Sequence, residues 1–165
     1  MIVDTLQRWI DDIVDTGRQQ WALRLVAVAT ALGAIMAATA ANGRWWPLGL
    51  TVVTALAVTA AIRPDTHASL AVITIGVWNW QATVDHVDTP WLPVAATCLL
   101  VHHVVIALSA TIPIGARIPS DVLVRWTART SVCAGLVVLI WALTVAMDRR
   151  EAPGNGALTG LALII

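Results

Sequence analysis

Almost every side chain able to do chemistry falls within one stretch, from Trp78 to His103. It reads Trp78-Asn79-Trp80-Gln81, then Asp85-His86-Val87-Asp88, then Trp91, then an apolar run carrying Cys98, His102 and His103. Asp85, His86 and Asp88 place three possible metal ligands close together, a set open to zinc or to a harder ion. The same segment reads equally well as a polar loop between two helices. In that reading Asp88-Thr89-Pro90 is a helix start, with Thr89 as the cap and Pro90 at the first position. Whether a metal ion is held there stays open. His102 lies about 11 residues beyond Trp91, which is roughly 16 Å along a helix and close to the centre of a bilayer crossed by that helix. An ionisable residue at such depth marks a proton or metal route unless a neighbouring group satisfies it. Cys98, His102 and Ser109 share one helical face. His103 points about 100° away, toward the face of Ala96, Leu99 and Ala107, so the two histidines do not chelate one ion unaided.

The elements that would position these groups are set by composition. Of 165 residues, 58% are hydrophobic and 12% charged, and the mean hydropathy is +0.78. Soluble domains carry about twice that share of charge. Apolar runs of about 20 residues recur along the chain, so the bilayer is the solvent. Alanine-rich runs favour helices, and the alternation of a membrane β-barrel is missing. The fold expected is all-α: a polytopic membrane bundle of five transmembrane helices with an N-terminal amphipathic helix. The spans fall at residues 22–41, 46–62, 67–84, 90–112 and 126–147, within a bundle covering 21–147. Asp65 or Thr66 would cap the third, and Ser120 a helix leading into the fifth. Formal net charge is zero, which gives no nucleic-acid footprint. Cys98 and Cys133 lie inside spans as small packing residues.

Residues 1–20 form a cytoplasmic amphipathic helix. Leu6, Trp9, Ile10 and Ile13 share its apolar face, opposite Asp4, Asp11, Asp12 and Asp15. That face either packs at the interface against the chain's own bundle or docks a partner. In the first span Ala27, Ala31, Ala34 and Ala38 make a small-residue face, and Gly33 adds a small-xxx-small row. Such faces let helices approach closely in lipid, within the bundle or across a homodimer seam. Residues 148–165 are a polar break and a short apolar tail. The nine residues of the tail rise only about 13 Å as a helix, too little to cross by themselves, so they re-enter, lie at the interface, pack on a partner or begin a further span.

Arginine sets the orientation. With the N-terminus inside, Arg8, Arg18, Arg24, Arg63, Arg117, Arg125 and Arg129 face the cytoplasm, and Arg44, Arg149 and Arg150 lie outside. Trp45, Trp46, Trp78, Trp80, Trp91 and Trp141 then gather mostly at the outer interface, as an aromatic belt does.

No phosphate-binding glycine loop, zinc-protease motif or nucleophile elbow is present. No cofactor is expected. Cys98 with His102 is the one catalytic pairing on offer, and it lacks an orienting third group. In composition and topology the whole chain resembles the small, uncharacterised multi-span proteins of the inner membrane of high-GC actinobacteria. That resemblance implies a bacterial inner-membrane location and little about mechanism. Together these features point to a non-catalytic structural or accessory subunit, whose partners are the lipid bilayer and another membrane protein or a second copy. The alternative is a small transporter or channel component passing protons or a metal ion by His102, with His103, Cys98, Asp85, His86 and Asp88 along the route. An intramembrane enzyme is the third reading.

Overall fold

The computed structural model describes residues 17–86, 88–113 and 116–148. The amphipathic face of Leu6, Trp9, Ile10 and Ile13 lies outside them, as does the apolar tail. The described residues form five α-helices and no strand: α1 (Arg18–Asn42), α2 (Pro47–Ile62), α3 (Ala68–Thr83), α4 (Trp91–Thr111) and α5 (Ser120–Asp148). Three of them, α1, α4 and α5, are long and apolar enough to cross a membrane.

The breaks between helices follow from local chemistry. Gly43 ends α1 at φ +67°, a left-handed conformation that glycine adopts without a Cβ clash, and its N–H reaches the Thr39 carbonyl at 2.8 Å. Asn42 Oδ1 then accepts from the Arg44 N–H. Pro47 opens α2, where its missing N–H is harmless. The Trp46 ring lies on Gly49, in space that any larger residue there would occupy. Pro113 turns the preceding Ile112 to extended backbone and stops α4.

The expected caps differ from those observed. Thr66 turns its hydroxyl to the Arg63 carbonyl, and His67 precedes α3 with no capping side chain. Thr89 receives only a long 3.4 Å bond from the Trp91 N–H, because α4 begins one residue later than the Pro90 start predicts. Ser120 is itself the first residue of α5, one place inside the expected cap, and the helix runs on through Arg125 and Arg129 into the apolar fifth span as the sequence predicts. Residues 18–20, assigned from sequence to the N-terminal helix, belong to α1.

Threonines inside apolar helices satisfy themselves. Thr30, Thr54, Thr74, Thr130 and Thr144 each donate to the carbonyl four residues back, which removes an unpaired hydroxyl from an apolar setting.

Packing proceeds in layers down α1. Ala27 meets Ala60 of α2 and Val105 and Ile106 of α4. Ala31 and Ile35 meet Val53 and Ala57 of α2 and Val72 of α3. Ala37 and Ala38 meet Trp80 of α3 and Ala95 of α4. Later residues of α1 thus pair with earlier residues of α2 and α4 but with later residues of α3, so the helices alternate in direction. The closest partner of α1 is α4, while α5 packs against α4 alone among the described helices.

Candidate functional site

The centre of the bundle is built on the seam between α1 and α4. Ala27, Ala31, Ala34 and Ala38 are all buried, facing the chain's own helices. Gly33 is half-buried, and a Cβ placed on it would come within 3.0 Å of Cys98 Sγ. Small residues on α1 therefore let α4 lie close enough for its polar side chains to reach the α1 backbone.

His102 does so at the middle of α4. It is 0% exposed and stands among the largest fully buried side chains. Its Nδ1 lies 2.8 Å from the Ala27 carbonyl oxygen. A carbonyl can only accept, so Nδ1–H donates and a neutral ring carries its lone pair on Nε2. Nε2 has no partner among the described atoms, and neither has the buried Ser69 hydroxyl of α3. Ser69 follows Ala68, which packs against the same layer as Ala27. The ring thus combines one satisfied donor with one bare acceptor, and its partner Ala27 belongs to the apolar layer of Ala60, Val105 and Ile106.

The other residues singled out from the sequence do not converge on it. His103 is exposed on the outer side of α4. Cys98 is half-buried against Gly33. Asp85, His86 and Asp88 are exposed in the α3–α4 connection, at the end of the bundle where α1 finishes. Among the described residues no three His, Cys, Asp or Glu side chains come together as an ion site.

Comparison with protein-family models, with curated proteins and with solved structures finds no match. The chemistry of the chain therefore rests on its own geometry.

Two features escaped the reading of the sequence. Where α1 begins, a cavity of about 570 Å³ opens between the ends of α1, α2 and α4, with Arg24, Arg63 and Ser109 in its lining. Its wall is tied by two glutamines: Gln19 Oε1 accepts from the Ile118 N–H at 3.0 Å, and Gln20 Nε2 donates to the Pro113 carbonyl at 2.9 Å. The pair of amides ahead of an apolar run was the available signal. The second feature is a groove of about 340 Å³ between α4 and α5, lined by Val101, Val104 and Leu108 on one side and Trp126, Thr130 and Ala134 on the other.

Proposed function

We propose that the chain is a non-catalytic membrane protein that serves as a structural or accessory subunit of a membrane complex. It crosses the bacterial inner membrane five times, with its N-terminus in the cytoplasm. The observation that carries this reading is α5. Among the described helices this 29-residue helix packs on α4 alone, and most of its surface is left uncovered by them. Beside the α4 contact runs an exposed edge of Ala128, Ser131, Gly135 and Ala142, and a Cβ added at Gly135 would meet nothing within 4 Å. In lipid, helices gain little from covering apolar surface, and they associate where small residues allow close approach. That edge suits a helix of another membrane protein or of a second copy.

Five crossings are supported by the alternating directions of the helices. The helices α2 and α3 have 16 residues each. They rise about 24 Å, short of a roughly 30 Å hydrocarbon core, a mismatch that local bilayer thinning accommodates at modest cost. Trp46 at the start of α2 and Trp91 at the start of α4 fall at one end of the bundle, where an aromatic belt would sit. The excess of arginine near the opposite end supports a cytoplasmic N-terminus.

Native mass spectrometry of the full chain extracted from its own membrane in mild detergent tests the assembly. The expected result is a stoichiometric complex with a foreign subunit or a second copy. Gly135→Ile with Ala142→Ile should weaken that complex about tenfold or more, since overpacking costs about 1–3 kcal/mol. A wild-type chain that emerges only as a monomer would contradict the proposal.

The bare Nε2 of His102 favours a second reading, a small transporter or channel component that passes protons through the bundle.

A further inference from the structure

We propose that the cavity at the beginning of α1 is a binding site for an anionic phospholipid, with the lipid phosphate held by Arg24 and Arg63. The inference needs a membrane at this end of the bundle and does not depend on a partner for α5.

Charge is the first argument. Arg24 reaches the cavity from the second turn of α1 and Arg63 from the end of α2. Asp65 is the one acidic residue in the lining, and it is exposed. Among the described residues the lining thus carries two arginines against one aspartate. Arginine presents a planar fork of N–H donors that matches phosphate oxygens.

Shape and depth supply the second argument. The cavity is the size of sites that hold small organic ligands. Leu23, Ile62 and Ile112 give the lining an apolar part beside the polar Gln20, Thr66, Ser109 and Thr111. A free phosphate ion gains nothing from that apolar part, whereas a lipid would lay its glycerol and first acyl carbons against it. The Arg24 guanidinium lies 5.4 Å from the Trp21 ring centroid. A tryptophan paired with an arginine at the entrance of an apolar helix marks headgroup level. Basic pockets between transmembrane helices at that level hold anionic headgroups.

The hydrogen bonds of Gln19 and Gln20 supply the third argument. They tie Pro113 and Ile118 to the first turn of α1, which makes the cavity wall a built surface instead of a chance gap between helix ends.

The test uses the full chain in zwitterionic detergent, titrated with phosphatidylglycerol or phosphatidylcholine and read by native mass spectrometry and thermal unfolding. Phosphatidylglycerol should be retained preferentially and should raise the unfolding temperature. Arg24→Gln with Arg63→Gln should weaken its retention by about thirtyfold, at roughly a tenfold factor per 1.4 kcal/mol and about 1 kcal/mol per arginine. Ser109→Leu, which fills the cavity without changing charge, should also weaken it. Arg129→Gln on α5, outside the lining, should not. Equal retention of the two lipids would overturn the proposal. So would an Arg129→Gln loss matching that of the double variant, unchanged retention in Ser109→Leu, or an equal unfolding shift from inorganic phosphate alone. A chain released from membranes by a carbonate wash would instead defeat the membrane reading, which separates the two failures.

Discussion

Replacing Trp80 with alanine should lower stability by about 3–5 kcal/mol, the usual loss when a buried aromatic is truncated to alanine. The same change at Trp78 should stay within about 0.5 kcal/mol. Two residues apart on α3, they differ completely in surroundings. Trp80 is 7% exposed and closes the upper layer against Ala37, Ala38 and Ala95. Trp78 is 72% exposed. The neighbours of Trp80 are mostly alanines, whose short side chains cannot swing in to refill the space. The lost ring therefore leaves a cavity that persists. Unfolding in detergent micelles measures both variants, and equal losses at the two positions would contradict the layer described.

The second large effect belongs to His102. Truncation to alanine should cost about 2–4 kcal/mol, by analogy with other large buried side chains, whereas His103→Ala should stay within about 0.5 kcal/mol. His102 is wholly enclosed and ties α4 to the Ala27 carbonyl, while His103 faces outward. The Ala27 carbonyl belongs to α1, so it keeps its own helical bond and is not left unpaired. The loss is mainly of packing. Stability alone does not separate a structural tie from a proton site, so the same protein in liposomes provides the second readout. The subunit reading predicts that His102→Leu vesicles pass protons no faster or slower than wild-type vesicles. A wild-type flux abolished by His102→Leu would establish the transport reading in its place.

Both contrasts show what the sequence disclosed and where it stopped. Apolar runs, prolines and the Asn42-Gly43 turn located the helices to within a few residues, because those signals act locally. Helix phase was not legible in the same way. In a soluble helix the polar face points out, but α3 and α4 are apolar nearly all round, so nothing local tells Trp80 from Trp78, and the face His102 shares with Cys98 and Ser109 sets it apart from His103 without saying which of the two is enclosed. That choice is made by α1, whose alanines admit Trp80 at one level and the His102 ring at another. The small face of α1 was readable as a contact surface, and only the fold shows that the chain's own helices cover it. The cavity beside Arg24 was hidden for a further reason. It is assembled from the ends of three helices far apart in sequence, and its wall depends on Gln19 and Gln20, whose partners lie beyond Thr111.

Five crossings require α2 and α3, the two helices shorter than the bilayer core, each to cross it. The direct test places a single cysteine at exposed Thr66, between them, in a chain whose Cys98 and Cys133 have been changed to alanine. Labelling uses a membrane-impermeant maleimide. Five crossings predict no reaction in intact cells and full reaction once the inner membrane is permeabilised. Labelling of intact cells, or protection under both conditions, would contradict them, the second outcome placing α2 and α3 as a hairpin that enters the membrane and returns.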